Sequence, residues 1–273
     1  MSPPPGVVLL IATLPDRTPL LERALASVVN QIARPDATVL IGDGTSVSRA
    51  SLPHYWQQSG TLHCLVNRDA PGAANSWNSG IRFIAEHWTD CYIAMLDDDD
   101  EWDANHLSLC LETARQEQWP DVVISGLRVI RDGAVQPRDP ICAVSAEDFL
   151  IGNPGWQGSN TFIRLSTLIR AGCFTPNLKS CNDRDLAVRV LSLDGVQVAF
   201  TGNHTASWYL DSDRICLSGH RSQNKLDGLA NFYQIHGHRM SADAQRQFFS
   251  RAAMLFGWER KQILQRLREY SLA

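Results

Sequence analysis

The 273-residue sequence has no Cys-x-x-Cys pair, and its seven cysteines, at 64, 91, 110, 142, 173, 181 and 216, are odd in number. That usage fits a reducing compartment rather than a disulfide framework. There is no surplus of positive charge either, since the formal net charge is -4 at pH 7. A generally basic nucleic-acid-binding surface is therefore not expected, and a small anionic ligand would need charge supplied locally. The opening Met1-Ser-Pro-Pro-Pro-Gly has no positively charged leader, and the apolar run behind it, Val7 to Ala12, is too short to span a membrane. Cytoplasm is the expected location. Without a secretory signal, the glycosylation-like triplet Asn203-His204-Thr205 is read as accidental.

What is present is ordinary globular composition, 44% hydrophobic and 20% charged, so most of the chain should be ordered. The first half alternates short apolar runs with amphipathic stretches, the pattern of strands and crossover helices in a mostly parallel sheet. Strands are expected at Val7 to Thr13, Ala37 to Ile41, Leu62 to Val66 and Tyr92 to Leu96. Helices are expected from about Pro19 to Gln31, where apolar residues recur at helical spacing, and from Ala73 to His87. Further strands at Asp121 to Ile130, Ser159 to Arg164 and Val196 to Thr201, a turn at Arg131-Asp132-Gly133 and a helix beginning near Asp183 complete the α/β part. From Ser218 the pattern is helical, and no repeat or low-complexity linker separates it. The reading is an α/β domain over residues 1–217 with a helical extension, 218–273, packed on it.

Ligands in open α/β sheets sit outside the carboxyl ends of the strands, so the loops after Thr13, Ile41 and Leu96 should line one crevice. The third of these carries Asp97-Asp98-Asp99-Asp100-Glu101 directly after an apolar strand. Such acids repel one another unless a cation lies among them. A solvated acidic turn is the bland alternative, but position at a strand end speaks against it. A helix-loop-helix calcium site fails because the sixth loop position is Trp102 rather than glycine and the twelfth is Ser108 rather than glutamate.

At these residues the chain resembles the inverting family 2 glycosyltransferases of the GT-A fold, over roughly residues 7 to 220. Five segments carry the resemblance in order: the opening strand with Leu20 to Val28, the Asp43-Gly44-Thr45-Ser46 turn, Ser76-Trp77-Asn78-Ser79-Gly80-Ile81, the acidic run to Trp102, and Ala171 to Phe174 with Asn182-Asp183-Arg184-Asp185-Leu186. The resemblance implies a nucleotide-diphospho-sugar donor, expected to be a UDP-sugar, and an acceptor hydroxyl or amine. It places Thr13, Asp43, Asn78 and Asp97 or Asp98 at the donor nucleotide, and Asp99 on a Mn²⁺ or Mg²⁺ bridging the diphosphate. It makes Asp183 the general base, with Asp185 the rival carboxylate.

Departures are Gly42 where relatives carry a further aspartate, Trp77 for an arginine, Ala12 for a proline, Pro15 for an asparagine and Asn182 for an acid. Trp156 and Gln157, in a glycine-bearing segment, and Arg214 and His220, in a polar stretch expected to act as a lid over about 211–224, are candidate acceptor or lid contacts. A nucleotidyltransferase is one rival, but Thr13-Leu14-Pro15-Asp16 is not a glycine-rich phosphate loop. The other is a sugar-nucleotide-binding scaffold without turnover, against which the acids and Asp183 count.

Overall fold

A computed structural model describes residues 5–14, 16–210 and 219–271 of the chain. In chain order its elements are β1 (Gly6–Thr13), α1 (Thr18–Val29), β2 (Ala37–Asp43), α2 (His54–Gln57), β3 (Leu62–Asn67), α3 (Ala73–His87), β4 (Cys91–Met95), β5 (Glu101–Trp102), α4 (His106–Gln116) and β6 (Val122–Arg131). There follow β7 (Ala134–Gln136), α5 (Ala146–Ile151), β8 (Thr161–Arg164), α6 (Leu165–Arg170), α7 (Asn182–Val190), β9 (Val198–Leu210), α8 (Gln223–His236), α9 (Ala242–Phe256) and α10 (Arg260–Ser271).

One sheet runs through the molecule in the order β3-β2-β1-β4-β8-β6-β9-β5, with β7 paired to β6. Strands β3, β2, β1 and β4 are parallel, as the alternating pattern predicts. Beyond β4 the sheet becomes mixed: β8 is antiparallel to both β4 and β6, while β6 and β9 are parallel with a bulge around Gly126. Strand β9 extends well past the expected Thr201 because its second half pairs with β5 and the far end of β6. It thereby brings Tyr209 back to the acidic run.

Alternate residues of the first strands feed two cores, one on each face of the sheet. Val7, Leu9 and Ile11 pack with Leu21, Leu25 and Val28 of α1 and Leu107 and Cys110 of α4. Val8 and Leu10 pack with Trp77, Ile81 and Ile84 of α3, in the same cluster as Leu186 of α7, Leu229 and Phe232 of α8, and Phe248 and Phe249 of α9. Strands covered on both sides read as unbroken apolar runs, which is what β1 and β4 are. The helical extension therefore shares a core with the α/β part. Its helices begin where serine supplies an N-cap: Ser222 accepts from the Lys225 N–H at 3.1 Å, and Ser241 from the Ala244 N–H at 3.1 Å.

Candidate active site

The ends of β1, β2 and β4 converge as expected, and the acidic run leaves β4 with its carboxylates pointing to different places. Asp98 is buried: its Oδ2 accepts from Thr13 Oγ1 at 2.6 Å and its Oδ1 pairs with the Arg17 guanidinium at 2.8 Å. Burial nevertheless pushes its carboxyl up to about 6 against the help of Arg17 and Thr13. Arg17 also pairs with Asp99, which stays partly exposed at the mouth. The backbone carbonyl of Asp99 accepts from Arg23, whose guanidinium lies 3.8 Å over the Tyr209 ring. Asp100 turns inward, accepting from Ser159 Oγ at 2.5 Å and from the Tyr209 N–H at 3.2 Å, and burial raises it well above the usual carboxylate range.

Asp97 faces the remaining direction. Among the described residues no side chain donates a hydrogen bond to its carboxylate, and burial, then Asp100 and Asp183, raise it well above the usual range. Its main-chain N–H donates to Ser159 Oγ at 3.1 Å. Gly158 lies against the carboxylate so closely that a Cβ there would meet Asp97 Oδ1 at 2.9 Å. Asp183, the second residue of α7, is half-buried beside it. Burial lifts its carboxyl to about 6, while the Lys225 ammonium and the N–H groups of Asp183 and Gly158 favour the charged form. A carboxylate held near 6 is ionised at neutral pH yet basic enough to take a proton.

Asp185, the rival carboxylate, is built into the scaffold. It accepts from Thr175 at 2.7 Å, pairs with Arg189 at 2.7 Å and holds His236 at 2.8 Å. Burial alone would raise it, but the bonds from His236, Arg189 and Thr175 outweigh this and hold it at about 2.

Asp43 stands at the end of β2, where its carboxylate accepts from Asn67 Nδ2 at 2.8 Å, Ser76 Oγ at 2.9 Å and the Gly72 N–H at 2.8 Å. It pins the start of α3 to the crevice and keeps acceptor capacity on Oδ2. Gly42 is explained by the same turn: a Cβ there would lie 1.9 Å from the Thr45 carbonyl oxygen, so an aspartate would not fit.

Two expected contacts turn inward. Asn78 spends both ends of its amide on Phe174, donating to its carbonyl at 2.8 Å and accepting from its N–H at 2.9 Å, so it ties α3 to the 172–174 turn rather than facing a nucleotide. Trp156 is 3% exposed, stands edge-on to Phe149 and donates its indole N–H to Thr161 at 2.8 Å, so it is core and not an acceptor platform. Trp77 likewise packs on Phe174. Gln157 is half-buried next to Gly158. His220 is exposed and lies close over Gly257 at the end of α9. Arg214 and positions 211–218 of the expected lid lie outside the described residues.

Sequence reasoning missed the part of Ser159, which braces two of the acids, and the place of Lys225, which comes from α8 to Ser180 and Cys181 at the entrance of α7. The small residues around Gly158 were the available signal for the first. Nothing local signals the second.

Among the described residues no three metal-ligating side chains converge into a cage. The half-buried acids of the run, Asp97 and Asp99, offer hard oxygen. It fits an ion held by one or two carboxylates and completed by phosphate oxygens, the usual arrangement for Mg²⁺.

No curated protein matches the sequence. Among solved structures, S. aureus TarS 1–349 in complex with UDP-GlcNAc superposes with a TM-score of 0.65 at 12% identity, over 94% of this chain and 74% of that one. The same segment in complex with UDP gives 0.63 at 12% identity, over 92% and 72%. Against a longer TarS chain the TM-score is 0.63 at 11% identity, and this chain spans 44% of its length. At such identities the likeness establishes a shared GT-A architecture. The sequence model described as glycosyl transferase family 2 matches residues 13–181, more than half of the chain and all of the segment from the end of β1 to the entrance of α7. This protein belongs to glycosyl transferase family 2 and is a glycosyltransferase of the GT-A fold.

Proposed function

We propose that the chain moves a sugar from a nucleotide diphosphate, a UDP-sugar, to an acceptor hydroxyl or amine with inversion, and that it needs a divalent cation. The observation that carries this reading is the pair Asp97 and Asp183, two half-buried carboxylates near enough that the charge of Asp183 helps to raise Asp97, the first at the end of β4 and the second in the first turn of α7. The TarS structures bound to UDP-GlcNAc and UDP support the choice of donor class.

Thr13 and Asp43 would flank the base and ribose, and Asp97 would face the ribose or sugar, since Asp98 is already engaged by Thr13 and Arg17. Asp99, with diphosphate oxygens, would hold Mn²⁺ or Mg²⁺, which when bound offsets the charge of the departing nucleoside diphosphate. Asp183 takes the acceptor proton as the acceptor oxygen or nitrogen bonds to the anomeric carbon. The bond from that carbon to the diphosphate oxygen breaks, and its electron pair leaves with the nucleoside diphosphate. Gly158 keeps the space against the Asp97 carboxylate free of a side chain, and Gln157 beside it is the candidate acceptor contact.

A thermal-shift screen of UDP, GDP, dTDP and CMP, each with and without Mn²⁺, tests the reading, because a ligand of the native state raises its stability by mass action. UDP with Mn²⁺ should give the largest shift, and Asp99→Ala should remove the metal-dependent part. A shift of equal size in excess chelator would remove the metal from the proposal, and no shift with any nucleotide would remove the donor.

A further inference from the structure

Five of the seven exposed large apolar side chains among the described residues stand alone in the sequence, which is ordinary for a folded surface. The other two are neighbours. Met254 is 69% exposed and Leu255 46% exposed, and both lie in the last turn of α9. The end of that helix does not need them. Gly257, at φ +71°, closes α9 in the left-handed conformation, with its N–H on the Ala253 carbonyl at 3.0 Å and the Trp258 N–H on the Ala252 carbonyl at 3.3 Å. The side chains that secure the closure are Phe256, whose ring covers Lys225 Nζ at 4.2 Å, and Trp258, which donates its indole N–H to the Ser222 carbonyl at 3.2 Å. Polar side chains at 254 and 255 would serve the fold as well.

Positive charge gathers on the same corner. Residues 219–273 hold nine Lys or Arg against four Asp or Glu, a formal +5 in a chain whose total is -4, so residues 1–218 carry -9. The Arg221 guanidinium lies 5.5 Å over the Trp258 ring and, with His220, close against Gly257. Arg260 and Lys261 open α10, the end of a helix at which a cation is disfavoured. All three basic side chains are exposed. Arg246 pairs with Asp243, and Arg266 with Asp227 and Glu269, but among the described residues no salt bridge holds Arg221, Arg260 or Lys261. Between 254 and 261 the only acid is Glu259.

We propose that this corner, the end of α9 with the start of α10, is a docking surface for a bilayer of anionic lipid. Met254 and Leu255 enter the headgroup region, and Arg221, Arg260 and Lys261 meet the lipid phosphates. Each contribution is small, and the two together give reversible attachment. No helix among the described residues is long and apolar enough to cross a membrane, so the attachment through this corner is to the bilayer surface. The negative charge of residues 1–218 orients the molecule, because an anionic surface repels it. A nucleic acid would reward the basic side chains but not an exposed aliphatic pair.

The test is sedimentation of the full chain with vesicles of phosphatidylcholine alone and of phosphatidylcholine mixed equally with phosphatidylglycerol. The protein should bind the mixed vesicles and not the neutral ones, and rising salt should weaken the binding. Met254→Ser with Leu255→Ser should weaken it about tenfold or more, and Arg260→Gln with Lys261→Gln about tenfold. Ile32→Ser, at an isolated side chain that is 73% exposed, should bind as the unaltered protein does. All the altered side chains are exposed, so thermal midpoints without vesicles should agree, and a folding defect would be seen apart from lost binding. No binding to the mixed vesicles, or an equal loss in Ile32→Ser, overturns the proposal. So does unchanged vesicle binding in the double serine variant, which would leave a general polyanion surface; single-stranded RNA would then bind both proteins alike. A dimer in vesicle-free solution that the double serine variant splits would overturn it in favour of contact between copies of the chain. None of these readings uses the donor, the metal or turnover.

Discussion

Asp183 and Asp185 are two residues apart on one helix, and their surroundings treat them in opposite ways. Asp183 opens toward Asp97 and the other acids of the strand end, and burial lifts it to about 6. Asp185 points into the seam between α7 and α8, where Thr175, Arg189 and His236 hold it at about 2. The acidic run repeats the first pattern, with Asp97 and Asp100 raised well above the usual range and Asp98 to about 6. Carboxylates that stabilise a fold are saturated with donors. At the strand end burial outweighs the donors that Asp98 and Asp100 hold, and carboxylates perturbed in that way cluster where a cation, a sugar or a proton is handled.

The sharpest way to break that comparison is to remove each carboxylate in turn. Asp185→Ala leaves His236 and Arg189 without their common partner and should cost about 3–5 kcal/mol of stability, read from urea unfolding. A loss under 1 kcal/mol there would place Asp185 outside the scaffold. Asp183→Asn should leave the urea midpoint and the UDP affinity near those of the unaltered protein while turnover falls by about 10²-fold or more. In the unaltered protein the rate should drop as pH falls through about 6, where the base gains its proton. Normal turnover in Asp183→Asn with loss in Asp185→Asn, at equal stability, would exchange their roles.

The pH dependence of stability separates the two groups by sign. Asp185 titrates at about 2 rather than its ordinary 3.8, so its contribution of about 2 kcal/mol is present above pH 4 and lost as pH falls toward 2. Asp98 and Asp183 titrate at about 6 rather than 3.8. Their ionisation therefore costs nothing below about pH 4 and is felt in full only above 6. Urea midpoints of metal-free protein from pH 2 to 7 should lose the acid-side fall in Asp185→Asn and flatten between pH 4 and 6 in Asp98→Asn. The smallest effect is expected from Asp97→Asn. Removing one charge from the crowded acids should raise the stability of the metal-free protein by on the order of 1 kcal/mol, and Mn²⁺ should erase the difference.

Local pattern made much of this legible. The alternation of apolar runs placed β1 to β4 and α3 within a residue or two, because strands buried on both faces and a fully amphipathic helix leave a dense signal. Short helices such as α5 and α6 and the two-residue β5 left too little signal to read. The acidic run was legible because charge directly after an apolar strand is conspicuous, and Asp183 because its segment, Asn182 to Leu186, resembles a family pattern. Trp156 and Asn78 misled for a related reason. A large aromatic beside glycines, or an amide within a helix, looks the same whether it faces a ligand or the core, and only Thr161 and Phe174, met through folding, show which way each points.

By itself the sequence determined the family, the parallel half of the sheet, the crevice at its carboxyl edge and the acids that line it, all of which are local or ordered along the chain. Tertiary structure decided which acids are spent on the scaffold and which remain for chemistry. Arg17 reaches Asp98 across 81 positions, Ser159 reaches Asp100 across 59, and Lys225 comes to the 180–181 turn across 44. The charge state of a carboxylate depends on the donors and dielectric around it, and those neighbours are assembled only when β9 and α8 return to the strand ends.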